Sequence, residues 1–376
     1  MSDVNIQQLI QTMRRKIIFL TAFMLILPRT SAGQDEKRVQ SDTSSELEFL
    51  PILSYDTDAG VGYGIKSFFL NYLHNNESFD VVLFNSTKGE RWYRVVYSLP
   101  DFERRQGTVY PLALDLTVDY DQWIGYNFFG VGNTSSYCDK EAYTREPLEM
   151  SAQLSRGFSG QWVGQVAVRY RTVRNFDFQD DSRLARLAPP LNAGRATFVS
   201  LQGTVRYDTR NSFINPSSGI VVQGEFEHSP AWSLGNVNFT RYAFWTQAYV
   251  PVLVPNTVLA VRGGLQDVSG ENLPIQVMLP IGGGSTLRGY PQDRFLGTVS
   301  AVMNVELRFP IIWRFGGIAG YDVGRVFGDL GQIGFATWRS NPLAGLRFYF
   351  DTFVVRLDVG FGPETTGLYL NFGQLF

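Results

Sequence analysis

"VSAVMNVELRF", running from Val299 to Phe309, decides the fold. Its apolar residues Ala301, Met303, Val305, Leu307 and Phe309 alternate with Asn304, Glu306 and Arg308. Successive side chains on a strand point to opposite faces, so a period of two sets one face in an apolar medium and the other in a polar one. "QWVGQVAVRYRT", from Gln161, does the same: Trp162, Val166, Val168 and Tyr170 oppose Gln165, Arg169 and Arg171. "FVVRLDVGF" repeats it, with Phe353, Val355, Leu357, Val359 and Phe361 against Arg356 and Asp358.

A soluble sandwich alternates too, so the medium has to be read from other features. The segments are about ten residues long, the length a tilted strand needs to cross a bilayer. Trp92, Trp162, Tyr242, Trp313 and Phe376 fall near segment ends, where an interfacial aromatic girdle sits. The amino end reads as an export signal. From Met13, a plausible true start, come Arg14, Arg15 and Lys16, then the apolar run Ile17–Leu27 and the small residues Thr30, Ser31 and Ala32. That run is far short of the roughly 20 residues of a membrane-spanning helix. The domain reading is a signal peptide over 1–32, a polar disordered lead-in over 33–46, and one outer-membrane barrel over 47–376.

A sheet crosses lipid only as a closed barrel, because no edge can stay unpaired there. Candidate strands begin near residues 49, 60, 79, 90, 108, 142, 161, 195, 218, 236, 256, 298, 314, 341, 353 and 366. Sixteen is an even number, as bacterial barrels require. If the first strand rises from the periplasm, the long connections at about 121–141, 176–194, 268–297 and 326–340 all fall outside. The expected fold is therefore all-β: a 16-stranded antiparallel transmembrane β-barrel with a long extracellular loop, which the family resemblance given below implies is inward-folded.

Composition narrows the function. A formal net charge of −2 gives no basic excess, which speaks against nucleic acid as a partner. One cysteine, Cys138, rules out an internal disulfide and a Cys-based zinc site. His74 falls in a periplasmic turn and His228 ends a strand in "EFEHSP", with no nucleophile–His–acid set around either. The reading is a non-enzyme with no cofactor and no metal.

The longest loop carries "LPIGGGSTLRGYPQDRF", Leu279 to Phe295. Leu279, Ile281, Leu287 and Tyr290 are too apolar for a solvated coil. Gly289 would let the backbone turn after Arg288, and Gly282, Gly283 and Gly284 would permit close approach to a wall. "IGGGSTLRGY", followed in order by "VELRFP" and "GGIAGYDVGRVF", resembles the carboxy-terminal signature of the BamA/TamA superfamily of outer-membrane insertases, also called the bacterial surface antigen family. "RYDTRNSFINPSSG" and "NFFGVGN" are similar to further family features, and Phe376 resembles a barrel sorting signal.

The resemblance implies that the loop folds into the lumen and that Arg288 at its tip binds Glu306 and Asp322, on the twelfth and thirteenth barrel strands. The alternation agrees: Glu306 is on a polar face, and Tyr321 and Val323 flank Asp322 on the lipid side. It further implies a seam between first and last strands, here expected at "DAGVGYG" and "NFGQLF", with Gly60, Gly62, Gly64, Gly373 and Phe376. The implied function is assistance to protein insertion or translocation at the outer membrane. The implied partners are outer-membrane lipids, an unfolded protein client, and a separate POTRA-bearing or periplasmic protein, since the barrel reads as a member without POTRA domains of its own. The alternative is a passive pore or structural barrel, lined by Arg169, Arg171, Arg206, Arg262 and Arg356.

Overall fold

The alternating segments form strands in a computed structural model that describes residues 45–187, 194–230, 234–252, 254–351 and 353–376. The export-signal reading lies outside the described residues. The first strands are β1 (Glu46–Asp56), β2 (Gly60–Leu70), β3 (Ser78–Ser86), β4 (Glu90–Leu99), β5 (Tyr110–Phe128) and β6 (Glu141–Gly157). Next come β7 (Trp162–Phe176), β8 (Arg195–Asp208), β9 (Gly219–Ser229), β10 (Phe239–Pro251) and β11 (Val258–Ser269). Two short strands, β12 (Leu279–Ile281) and β13 (Phe295–Gly297), make a hairpin within the long loop. The chain closes with β14 (Val299–Ile312), β15 (Phe315–Phe327), β16 (Arg339–Tyr349), β17 (Val354–Phe361) and β18 (Thr366–Phe372).

All except β12 and β13 join in one closed antiparallel barrel, each strand beside its sequence neighbour and β18 returning to β1. Barrel strands begin within three residues of the positions expected from alternation. No helix among the described residues is long and apolar enough to cross a membrane. The connections 129–140, 177–194, 270–298 and 328–338 share one end of the barrel. Most connections at the opposite end are shorter, down to the two residues Trp313–Arg314.

The two faces of β14 separate as its sequence requires. Met303 and Leu307 are exposed on the outside, whereas Asn304, Glu306 and Arg308 are buried in the lumen. Trp162, Tyr242 and Trp313 also face outward. Two of the expected girdle aromatics do not. Trp92 turns inward and its indole N–H donates to Asp119 Oδ1 at 3.0 Å. Phe376 is buried with Tyr249, Val258 and Ala260.

Strands β5, β6 and β7 run well past the ten residues that a bilayer demands, so the first long connection begins at 129 rather than 121. This taller wall carries Tyr126 and Phe128 above the lipid-matched zone, packed with Tyr143 and with Ile275 and Leu296 of the long loop.

The inside-outside assignment predicts an asymmetry between neighbours. Met303→Arg, on the lipid face, should destabilise the refolded barrel by about 2–4 kcal/mol near mid-depth. A urea titration in lipid vesicles measures it; an unchanged midpoint would mean that this face does not meet lipid.

Candidate functional site: the loop anchor and the seam

The loop 270–298 enters the lumen because its own sequence supplies a small apolar core. Ile281, Leu287, Tyr290 and Phe295 pack together against Val302 of β14 and Val326 of β15. Gly282 and Gly283 adopt positive φ, +127° and +79°, and turn the ascending arm back towards Pro291 and Gln292. Of the three consecutive glycines, Gly284 is the one that meets the wall: a Cβ there would lie 2.8 Å from the Tyr369 ring.

Packing of this core delivers Arg288 to three carboxylates. Its Nε and Nη2 donate to the two oxygens of Asp322 at 2.9 and 2.8 Å, a fork, and its backbone N–H adds a third bond to Asp322 at 3.1 Å. Nη1 donates to Glu306 at 2.6 Å and to Asp358 at 3.1 Å. All four side chains are 0% exposed. Burial disfavours the Arg288 cation, but Asp322, Glu306 and Asp358 outweigh it and hold its pKa well above the ordinary guanidinium value. The guanidinium is the suitable cation here, since its flat fork matches a carboxylate and leaves a further nitrogen for the others.

Asp358, on β17, was absent from the expected partners although alternation placed it on a polar face. The carboxylates are themselves held. Arg308 donates to Glu306 at 2.9 Å, Arg347 to Asp358 at 2.5 Å, and Asn304 to Asp322 at 2.8 Å. Asn304 also donates to the Thr286 carbonyl at 2.7 Å, so one amide joins β14 both to β15 and to the loop.

Gly289 acts by close approach rather than by a turn. A Cβ on it would lie 2.6 Å from Asn341 Cβ and 2.7 Å from Gly362 N. The facing wall is also glycine: a Cβ at Gly360, Gly362 or Gly367 would fall within 2.3, 1.7 or 2.2 Å of the Arg288–Gly289 backbone. Loop backbone thus rests on wall backbone with no side chain between. Tyr290, buried, donates from its hydroxyl to the Ser340 carbonyl at 3.4 Å and accepts at its own carbonyl from Tyr369 at 3.5 Å.

Three further ties hold the descending arm. Arg294 grips Glu364 through Nε and Nη2, at 2.5 and 2.8 Å, and is flanked by the Phe129 and Phe295 rings. The Gln292 backbone N–H donates to Asp58, in the β1–β2 turn, at 2.7 Å. The Tyr126 hydroxyl donates to Asp293, whose carboxyl burial holds above the ordinary aspartate range.

The barrel's closure is uneven. β1 pairs with β2 along its whole length, from Glu46 opposite Leu70 to Asp56 opposite Gly60. Against β18 it pairs only at Tyr55–Leu370 and Asp56–Tyr369. The Thr57 hydroxyl extends this short zipper, accepting from Leu368 N–H at 2.8 Å and donating to its carbonyl at 3.3 Å. Glu46–Ser54 therefore has a strand on one side only among the described residues, and the gap opens at the end with the short turns.

Gly60, Gly62 and Gly64, expected at this seam, lie on β2, one strand in from it. Gly64 has a role there, since a Cβ would meet the Leu83 carbonyl at 2.2 Å. Gly373, at φ +79°, turns the chain off β18 and donates to the Val354 carbonyl at 2.7 Å. Phe376 then lies beside Tyr249 of β10, away from the β1 edge.

The lumenal arginines expected to line a pore are largely engaged. Arg169 binds Glu149 and Glu227 at 2.8 and 3.0 Å, and Arg356 stands 3.5 Å from Asp358. His228 Nδ1 pairs with Thr240 Oγ1 at 3.0 Å, while the adjacent Glu227 pairs with Arg169 and Arg241 along the same stretch of inner wall.

The Omp85 superfamily domain matches residues 71–373. Among solved structures, BamA from Haemophilus ducreyi lacking POTRA domains 1–3 is similar, at 12% identity and TM-score 0.65 over 88% of this chain and 70% of that one. CdiB from Acinetobacter baumannii gives 15% and 0.60, over 87% of this chain and 59% of that one. CdiB from Escherichia coli gives 13% and 0.61, over 89% and 68%. These likenesses are of fold. No curated protein matches.

Removing Arg288 leaves three buried carboxylates without their common cation. Arg288→Ala should cost about 3–5 kcal/mol in a urea titration and expose residues 270–298 to protease. Arg288→Lys should recover only part of this, because an ammonium cannot fork onto Asp322. A fully stable, protease-resistant alanine variant would show that the loop is held by other contacts.

Proposed function

Because this chain belongs to the Omp85 superfamily, we propose that it is an outer-membrane barrel that assists the insertion or translocation of proteins by offering its own strand edge to a client. The observation that carries this reading is the unpaired stretch Glu46–Ser54 of β1. Inside a bilayer no water satisfies a bare row of N–H and C=O groups, so a free edge there costs several kcal/mol per group. A client strand entering from the periplasmic end satisfies those groups by β-augmentation. The zipper at Tyr55, Asp56 and Thr57 keeps the barrel closed at the extracellular end meanwhile.

The Arg288 anchor serves this function by stiffening the wall beside the moving edge. It ties the loop to β14, β15 and β17, and the glycines of β17 and β18 seat the Arg288–Gly289 backbone. The seam can then loosen while the neighbouring strands keep their positions. A separate periplasmic protein, POTRA-bearing or otherwise, delivers the unfolded client in this reading. A passive pore is less well supported, because the loop fills the lumen beside β14–β18 and is fastened there by charge pairs.

The test uses a seam lock. If the β1–β18 register continued, Leu53 would face Phe372. In a Cys138→Ser background, Leu53→Cys with Phe372→Cys is oxidised to join the strands. The barrel in liposomes should speed folding of an unfolded barrel client over empty liposomes. Oxidation should remove the acceleration and a reductant should restore it. A wild-type barrel no faster than empty liposomes would refute the proposal.

A further inference from the structure

The wall away from the seam carries a feature that strand-edge chemistry does not use. On the outer surface of β6–β11 lies an open apolar groove of about 1020 Å³. Three outward positions along it lack side chains: Gly203 on β8 and Gly224 on β9 lie open, and Gly164 on β7 carries the Phe158 ring, 2.9 Å from where its Cβ would stand. Register makes them a staggered path. Gly164 stands opposite Val205, Val205 opposite Gly224, and Gly203 lies between Val166 and Phe226. Phe226 and Phe244 project beside the path as its raised side. Its volume reaches the upper end of the roughly 300–1,000 Å³ of small-molecule and cofactor sites, which suits a lipid better than a single side chain.

The two ends of the groove carry opposite charges. At the periplasmic end Arg156 faces Gly164 across the strand pair. Arg156 is exposed on the outside of the barrel, its guanidinium 5.3 Å from the Phe158 ring centroid and without an ion-pair partner among the described residues. At the extracellular end stands Asp267, also on the lipid side, opposite Tyr242. An arginine one residue inside a strand end reaches to headgroup level, where its cation attracts phosphate. Asp267 repels an anion from the other end.

We infer that this groove binds a phospholipid of the periplasmic leaflet, its anionic headgroup on Arg156 and its acyl chains running past the Phe158 ring and over Gly203 and Gly224. The glycines make the inference testable without unfolding the barrel. A Cβ at Gly203 or Gly224 would meet nothing within 4 Å, and neither residue has a φ that a side chain resists. The groove can therefore be filled from outside by Gly203→Leu with Gly224→Leu.

The experiment reconstitutes the wild-type barrel, Arg156→Gln and the filled form in vesicles of phosphatidylethanolamine with phosphatidylglycerol. Each is extracted gently and its retained lipid read by native mass spectrometry, with heat-modifiable migration confirming a folded barrel. The wild type should retain phosphatidylglycerol in preference to phosphatidylethanolamine. Both variants should lose about tenfold in that retention, as expected for loss of a charge-assisted contact or of the chain path. Loss in Arg156→Gln alone would mean adsorption of phosphate at a surface charge and would overturn the groove. Equal retention by all three forms, or no preference in the wild type, would overturn the inference altogether.

Discussion

In a bilayer the backbone must satisfy its own hydrogen bonds, and every other feature of this molecule follows from how completely it does so. Fifteen of the junctions between neighbouring barrel strands are made by extended ladders; the sixteenth, β1 against β18, is made by two residue pairs and a threonine side chain. The barrel is thus satisfied almost everywhere and left short in one place. A molecule built to be inert would extend that last ladder. Here β18 is only seven residues long and the chain turns away at Gly373.

A wall with one weak junction needs bracing close to it, and the long loop provides this from within. Its grip combines two kinds of contact that depend on each other. Glycines on both sides bring backbones together, and only at that distance can one guanidinium reach Glu306, Asp322 and Asp358 at once. The charges in turn are tolerable in a dry setting because Arg308 and Arg347 take the Glu306 and Asp358 oxygens that Arg288 leaves, and Asn304 adds a second bond to Asp322 Oδ1. Removing either kind of contact undoes the other.

Much of this was legible in the sequence, and what was missed shares a cause. Alternation is local, so it placed the barrel strands and set Glu306 and Asp322 on the polar side. The resemblance in "IGGGSTLRGY" pointed to Arg288. Alternation also set Asp358 inward, but nothing local says that β17 curves round to meet a loop 70 residues earlier. The Arg294–Glu364 pair, likewise 70 residues apart, was invisible for the same reason. Nothing local marks Gly360, Gly362 and Gly367 as the surface on which the loop backbone lies. The seam glycines fall one strand in because "DAGVGYG" begins inside the β1–β2 turn and runs on into β2, and a turn hides which strand is the edge. The hairpin of β12 and β13 is three residues deep, below the length at which a period of two can be seen.

The spacing of the loop's contacts along the chain carries a consequence for how the barrel forms. Arg288 reaches partners 18, 34 and 70 residues away, all C-terminal to it. The ties to Asp58 and Tyr126 span 234 and 167 residues in the other direction. Short loops close at lower entropic cost than long ones, so the near contacts precede the far ones. The carboxy-terminal strands can collect around the loop as an early nucleus, and the amino-terminal strands are the late arrivals. The last junction to be made is then also the weakest one, and the order of assembly leaves its mark as the place where the finished wall most easily opens.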